Sequence, residues 1–310
     1  MKIVFMGTPD FSVYSLQAMI DAGHEILLVV TQPDREKGRG KEVSYSPVKE
    51  CALKNQIPVF QPLKIKSEES VKELLKYPAD LFVVAAFGQI LSKEILEMPR
   101  IGCINVHASL LPKYRGAAPI QWAIINGEKE TGVTIMQMAE GLDTGDMISK
   151  VVVPITDTET GESLHDKLAE KGAKLLVETL PLIETAKITP VPQEEEQMTY
   201  AKMLTKELGY IQFQNSAVSI ERLVRGLNSW PSAYTKYHGK TLKIWETEAI
   251  PASTEKDAGT VIEVCRDSFS IQTGKGILKV WALQLEGKKK MKTEAFLLGN
   301  AVEAGMCFPS

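Results

Sequence analysis

Cysteine and histidine are scarce in this chain of 310 residues, with four of each. Cys51, Cys103, Cys265 and Cys307 lie far apart and form no C-x-x-C pair. Disulfide and zinc frameworks need clustered or regularly spaced thiols, so neither is supported. His24, His107, His165 and His238 are just as dispersed, and any chemistry is expected to run without a metal. Long hydrophobic runs are missing too. Ile26–Val30 and Leu81–Phe87 have the length of strands, well short of the about 18 apolar residues that suggest a membrane span. The opening Met1-Lys2-Ile3-Val4-Phe5-Met6-Gly7 turns polar too soon for a signal peptide, so a cytoplasmic protein with no membrane partner is expected. The turn Gly7-Thr8-Pro9-Asp10-Phe11-Ser12 has one glycine where a dinucleotide fingerprint needs three to let a pyrophosphate approach, and there is no Walker lysine. A dehydrogenase is therefore disfavoured, and the segment reads as a strand-to-helix turn with a Ser or Asp cap. No serine or cysteine sits in a nucleophile elbow, which argues against a covalent acyl-enzyme.

What is present has ordinary globular proportions. Hydrophobic residues at 44% and charged residues at 24% allow a sizeable core and exclude disorder of the whole chain. The length predicts two domains. Strands and helices alternate over the first 190 residues: strands at Lys2–Met6, Glu25–Thr31, Ala79–Ala86 and Ile101–Val106, with helices from the first turn to about Ala22, at Pro47–Asn55 and at Ser67–Tyr77. Two further strands, Gly132–Met138 and Met147–Pro154, precede a long helix, Gly161–Glu184. Such βαβ alternation predicts an α/β fold with a Rossmann-like, open, mostly parallel sheet. Thr189-Pro-Val-Pro-Gln-Glu-Glu-Glu-Gln is proline-flanked, acidic and without apolar period, and reads as a linker. Beyond it come a short helix, Ser219–Asn228, and short strands at Thr241–Glu246, Gly259–Val264, Ser268–Thr273 and Ile277–Leu285. A small OB-like β-barrel is expected there, with a sandwich as the alternative. The expected division is a catalytic domain over 1–189, a linker over 190–208 and a second domain over 209–310.

Charge is uneven along the chain. Residues 1–208 carry 23 Lys and Arg against 29 Asp and Glu, whereas residues 209–310 carry 13 against 10. A mildly basic tail on an acidic body suits contact with a polyanion, although ordinary surface variation gives the same balance.

The segment with most chemical content is Gly102-Cys103-Ile104-Asn105-Val106-His107-Ala108-Ser109-Leu110-Leu111-Pro112. Residues two apart in a strand share a face, so Asn105 and His107 point the same way at the strand's carboxyl end, where ligands of open α/β sheets bind. The Leu142-Asp143-Thr144-Gly145-Asp146 stretch brings carboxylates from another strand end. A carboxylate that accepts from an imidazole nitrogen fixes the ring's tautomer and raises its basicity. The other ring nitrogen can then handle a proton or donate to a developing oxyanion, and an Asn N–H aimed at the same oxygen adds about 3–4 kcal/mol in acyl transfer. On the residues alone two readings stay open: acyl transfer by direct amine attack, and a structural core histidine.

Asn105-Val106-His107, Ser109-Leu110-Leu111-Pro112 and Asp143 together resemble the signature of the folate-dependent N-formyltransferases. The resemblance implies that Asn105, His107 and Asp143 are catalytic. It also implies that 10-formyltetrahydrofolate is the formyl donor and that Ser109, Leu110, Leu111 and Pro112 lie beside the folate. Phe87-Gly88-Gln89-Ile90-Leu91 resembles the family's pterin-side loop, which adds Phe87, Gly88, Ile90 and Leu91 as folate contacts. Arg115–Gln121, Val133–Met138 and Gly226–Pro231 also read as this family, so the similarity runs over nearly the whole length.

The stretch Gln32-Pro33-Asp34-Arg35-Glu36-Lys37-Gly38-Arg39-Gly40-Lys41 is basic and glycine-spaced. Taken alone it suits a solvated loop as well as a phosphate grip. It is similar to the insertion with which tRNA-acting members of the family hold the acceptor end of initiator tRNA. That likeness implies initiator methionyl-tRNA as partner, with Arg35, Lys37, Arg39 and Lys41 on its backbone and Arg39 of greatest consequence. In the tail, Lys236, Lys240, Lys243, Lys275 and Lys288–Lys290 are candidates for tRNA contact, with Lys240 and Lys243 chosen among them; Trp230, Trp245 and Trp281 are expected in the core. The resulting expectation is a monomeric enzyme that formylates the α-amino group of methionine on initiator tRNA. A sugar-nucleotide N-formyltransferase is the alternative, and a non-catalytic nucleic-acid-binding protein the remote one.

Overall fold

The computed structural model describes residues 1–37 and 42–309. Its contacts divide the chain into two compact units. The first comprises Met1–Pro119, Glu130–Pro154 and His165–Ala201, and the second Ile120–Lys129, Ile155–Leu164 and the chain from Lys202 onward.

The elements of the first unit run β1 (Lys2–Gly7), α1 (Asp10–Asp21), β2 (Glu25–Val30), β3 (Arg35–Lys37), β4 (Glu42–Ser44), α2 (Pro47–Lys54), β5 (Val59–Phe60), α3 (Glu68–Leu74), β6 (Leu81–Ala85), α4 (Lys93–Leu96), β7 (Gly102–His107) and β8 (Arg115–Gly116). After α5 (Pro119–Ile125), which belongs to the second unit from Ile120 on, come β9 (Glu130–Gln137), β10 (Met147–Pro154), α6 (Gly161–Glu184), of which the first unit holds His165 onward, and β11 (Tyr200–Ala201). A seven-stranded sheet has the order β10-β9-β7-β6-β1-β2-β5. Pairings from β7 through β5 are parallel, and β9 and β10 add an antiparallel edge. The mostly parallel Rossmann-like sheet expected from the alternation is what the chain forms. Its central strand β6, Leu-Phe-Val-Val-Ala, is buried at every residue, as a strand covered on both faces must be. Val4, Met6, Leu28, Val30, Phe82 and Val84 share one core with Val71 and Leu74 of α3.

Helix starts follow local chemistry. Ser46 accepts from the Lys49 N–H with Pro47 at the first helical position, and Ser67 accepts from the Ser70 N–H. The turn after β1 departs from the expected Ser or Asp cap. Pro9 is the N-cap of α1 without a side-chain bond, while the Ser12 hydroxyl donates to the Ala85 carbonyl at 2.6 Å. A Cβ on Gly7 would lie 2.7 Å from Ser12 Cβ and 2.9 Å from Ala85 O, so this glycine serves the close approach of β1, α1 and β6.

The second unit holds α7 (Ala217–Gly226), β12 (Ala233–Tyr237), β13 (Lys240–Ile250), β14 (Val261–Val264), β15 (Phe269–Gln272), β16 (Ile277–Leu285), β17 (Met291–Lys292) and α8 (Thr293–Leu297). Its strands pair antiparallel in the order β12-β13-β16-β15-β14, with β17 added to β16. An antiparallel, strand-rich domain therefore stands where the small barrel was expected. Ala217, Ile220 and Val224 of α7 enter its core with Leu242, Ile244, Phe269 and Val280.

The tryptophans correct the sequence expectation. Trp230 is 58% exposed, and Trp245 and Trp281 are half-buried. The period-two alternation explains the last two: Leu242 and Ile244 face the core, which turns Lys243 and Trp245 outward. Trp245 carries Lys243 Nζ at 5.7 Å and Lys290 Nζ at 5.4 Å from its ring centroid, and Trp281 carries Lys279 Nζ at 4.4 Å. Their indole N–H groups donate to Gln284 and Glu248.

Candidate active site

The chain leaves β1 toward β2 and β5, then returns to β6 on the other side of β1, so the winding switches direction between β1 and β6. Ligands of open α/β sheets bind outside the carboxyl ends of the strands near such a point. Beside it, β7 pairs with β6 so that Val84 stands opposite Asn105, and on its other side His107 stands opposite Thr134 of β9. Asn105 and His107 thus sit on one face at the end of β7.

Asp143 completes the group. Its Oδ2 lies 3.6 Å from His107 Nδ1, and Asn105 Nδ2 donates to its Oδ1 across a long 3.5 Å. The Gly116 N–H donates to Oδ2 at 2.9 Å. The other ring nitrogen of His107, Nε2, lies 3.0 Å from the Tyr114 carbonyl. A carbonyl only accepts, so Nε2 carries a proton there and Nδ1 is the nitrogen turned toward Asn105 and Asp143. This corrects the expected arrangement, in which the ring nitrogen away from the carboxylate meets the oxyanion: the Tyr114 carbonyl takes that nitrogen, which leaves Nδ1. His107 is 6% exposed.

Short segments hold these groups in place. Tyr114 has φ +61° and Gly116 φ +115°. A Cβ at Gly116 would lie 2.6 Å from the Tyr200 ring. Arg115 between them is 4% exposed and donates to Gln193 Oε1 at 2.9 Å and to both carboxylate oxygens of Glu195 at 3.1 and 2.7 Å. This hydrogen-bonded pair holds the Glu195 carboxyl below its ordinary value. Gln193 also donates to the carbonyls of Asp143 and Gly145, at 2.7 and 2.8 Å. Thr199 binds the Tyr114 N–H, and β11 pairs with β8. Sequence reasoning missed Tyr114, Gln193, Glu195 and Thr199. The one available signal was Arg115, an arginine in an otherwise apolar-rich motif, which once buried requires a carboxylate.

The folate candidates are placed unequally. Gly88 (φ +82°) and Ile90, 75% exposed, stand at the surface beyond β6. Phe87 and Leu91 send their side chains into the core, which leaves the Phe87 carbonyl, already accepting from Thr8 and Gln32, just beyond the carboxyl end of β6. Ser109 is fully buried and donates to the Lys113 carbonyl, Leu111 and Pro112 are buried, and Leu110 lies against Gly132. Lys150 donates to the Leu111 carbonyl at 2.5 Å, and burial lowers its ammonium below the usual lysine value. Burial pushes the Cys103 thiol up to about 12, which keeps it a neutral core group. Among the described residues no group of three or more His, Cys, Asp or Glu side chains is arranged to hold a metal ion, and no helix is long and apolar enough to cross a membrane.

Of the tRNA candidates, Arg39 and Lys41 lie outside the described residues. Arg35 and Lys37 are described only as backbone in β3, which pairs antiparallel with β4. Lys240 is exposed at the start of β13, and Lys243 stands on the outer face of that strand beside Trp245.

Residues 1–180 match the family model described as formyl transferase, and residues 203–301 match the formyl transferase C-terminal domain. The chain belongs to the formyl transferase family. It is 56% identical over 308 residues to a methionyl-tRNA formyltransferase of Agathobacter rectalis, with 99% of each chain covered. It is 51% identical over 306 residues to a methionyl-tRNA formyltransferase of Clostridioides difficile, again with 99% of each covered. This formyl transferase is therefore an enzyme of the methionyl-tRNA formyltransferase group. A solved N-formyltransferase from Helicobacter canadensis, in complex with folinic acid and dTDP-3-aminofucose, shares the fold at a TM-score of 0.69 and 19% identity, covering 94% of this chain and 100% of its own.

Proposed function

We propose that the protein transfers the formyl group of 10-formyltetrahydrofolate to the α-amino group of methionine on initiator methionyl-tRNA, supplying formylated initiator to translation in the cytoplasm. The observation that carries this reading is the convergence of Asn105 and His107 on the Asp143 carboxylate at the end of β7, with Asn105 Nδ2 3.5 Å from Oδ1 and His107 Nδ1 3.6 Å from Oδ2. The folate supplies a formyl carbon already activated for attack by an amine; as the tetrahedral species collapses, the bond from that carbon to N10 breaks, and N10 takes up the second proton of the attacking nitrogen and leaves in tetrahydrofolate. Asn105 Nδ2 and a protonated His107 Nδ1 donate to the oxygen that becomes negative in the tetrahedral species. The Tyr114 carbonyl on Nε2 keeps the ring turned so that Nδ1 serves this purpose. Asp143 balances the imidazolium and, through water, takes a proton from the substrate ammonium, which cannot attack until it loses one. The Gly116 N–H holds the carboxylate in position for both tasks. Gly88, Ile90 and Leu110, with the backbone of 109–112, form the folate side.

In this reading residues 1–189 perform the transfer together with 190–201, the part of the expected linker that belongs to the first unit, residues 209–310 hold tRNA, and 202–208 join the two in a protein that works as a monomer. Arg35, Lys37, Arg39 and Lys41 meet the acceptor end, and Lys240 and Lys243 meet backbone phosphates elsewhere. The test offers labelled 10-formyltetrahydrofolate together with methionyl initiator tRNA and, separately, an amino-sugar nucleotide. Label on the tRNA alone supports the reading. Label on the sugar alone would keep the Asn105–His107–Asp143 chemistry and overturn the assignment of the basic segments.

A further inference from the structure

We infer that Gln193 is a positioning residue for the transfer: its carboxamide fixes the Asp143 backbone so that the carboxylate stays aimed at His107. The inference rests on the catalytic reading of Asp143 given above.

Asp143 has φ +53°, a left-handed backbone that aspartate enters more readily than most residues bearing a Cβ but that its surroundings must still hold. The surroundings do so from two sides. The first is the β9 end, where the Gln137 N–H donates to the Asp146 carbonyl at 2.8 Å and Gly145 is pressed so closely that a Cβ would fall 1.7 Å from Gln137 O. On the second side stands Gln193. Its Nε2 donates to Asp143 O at 2.7 Å and Gly145 O at 2.8 Å, and its Oε1 accepts from Arg115 Nε at 2.9 Å. The two donors and the acceptor of the amide are all engaged. Arg115 is covalently joined to Gly116, whose N–H donates to Asp143 Oδ2. One closed circuit therefore runs from the Asp143 carbonyl through Gln193, Arg115 and Gly116 back to the Asp143 carboxylate. It grips the same residue at its main chain and at its reacting group.

Gln193 is not what docks its own segment. Val191 exchanges both backbone hydrogen bonds with Met147 at 2.8 Å, Glu195 binds Arg115 bidentately, and Tyr200 and Ala201 pair with Arg115 and Gly116. With anchors on both sides, a substitution at 193 removes the hold on Asp143 while the segment stays in place.

The experiment uses the full-length chain with Gln193→Leu, Gln193→Glu, Asp143→Asn and the Gln193→Leu/Asp143→Asn pair. Single-turnover transfer to methionyl initiator tRNA, KM and backbone hydrogen exchange are measured on each. Gln193→Leu is expected to slow transfer by about 10–100-fold, the range seen when a residue that orients a reacting group is lost, with KM within about twofold of the parent. Gln193→Glu is expected to lose as much. It still offers Arg115 an acceptor, but it sets a carboxylate against two carbonyl oxygens. In the Asp143→Asn background, Gln193→Leu is expected to cost less than about threefold more, because residues acting through one group are not additive. Parental rates in Gln193→Leu, full rescue by Gln193→Glu, or losses that multiply in the pair would each overturn the inference. The exchange measurement decides it independently of transfer. The Gly116 and Gln137 amides, which donate to Asp143 Oδ2 and Asp146 O, should exchange at least about tenfold faster in Gln193→Leu, and unchanged exchange there overturns the inference whatever the acceptor. Failure of the parent enzyme to formylate any acceptor would instead remove the catalytic reading and leave the exchange result to judge the positioning.

Discussion

The two units hold their candidate functional groups in opposite ways. In the first, Asn105, His107 and Asp143 stand in a lattice of named partners: Tyr114 O on the imidazole, Gly116 N–H on the carboxylate, and Gln193 on the Asp143 carbonyl. In the second, lysines ring half-exposed indoles on the outside of a sheet, and Lys290 is tied by an ion pair to Glu246 at 3.3 Å and by its place over Trp245. The contrast follows from what each task needs. Stabilising a developing charge requires donors placed to a fraction of an ångström in a site sheltered from water. Gripping a polyanion requires charge density, which several mobile cations supply together and no single one dominates. Burial also separates the two energetically. Removing a buried donor aimed at an oxyanion costs about 10²–10³ in kcat, whereas an exposed charge pair contributes only about 0–1 kcal/mol.

That comparison can be broken at either end. The largest effect should come from His107→Ala, with transfer slowed about 10²–10³-fold and tRNA affinity almost unchanged; a loss of affinity of similar size would merge the two regions into one binding surface. Arg39→Ala should follow, weakening tRNA binding and lowering the slope of log affinity against log salt by about one, with folate binding as in the parent. An unchanged salt slope would remove the basic segment from the tRNA path. Lys243→Ala should have the smallest effect, a loss of a few-fold in tRNA affinity with no change in the single-turnover rate at saturating tRNA. Pairing it with Lys240→Ala should add to the loss, since dispersed surface charges act independently. A large effect from either lysine alone would mean that the outer sheet face works as a specific site.

The same contrast governs what was legible in the sequence. Apolar patterning and turn residues revealed β1, α1, β2, α2, α3, β6, β7, β9, β10, α6, α7 and β13–β16, each within a few residues of its observed bounds. Asn105 and His107 were readable because a strand's period of two puts them on one face, and Asp143 because the family signature carries it. The rest lacks a local signal. The pairs β8 with β11 and β2 with β5 involve strands of two residues, too short for any alternation. The acidic, proline-flanked stretch after Thr189 has no apolar period because it does its work with polar atoms. Gln193, Glu195 and Thr199 each find a partner nearly 80 or more residues away on the 114–115 turn, and Gln193 a further partner 50 residues away at Asp143. Tertiary hydrogen bonds of that span leave no trace in a window of sequence. The tryptophans were misjudged for a related reason. Composition favours buried indoles, but strand register decides the face, and it turns Trp245 out beside Lys243.

The separation of chemistry from grip is tested most directly by Asp143→Asn, with kcat for formyl transfer and the Kd for methionyl initiator tRNA measured on the same preparation. This change keeps the side-chain shape and removes the charge that faces His107 Nδ1 at 3.6 Å. A fall in kcat of about 10²-fold with Kd within twofold of the parent is the predicted result. Equal losses in kcat and in affinity would contradict it.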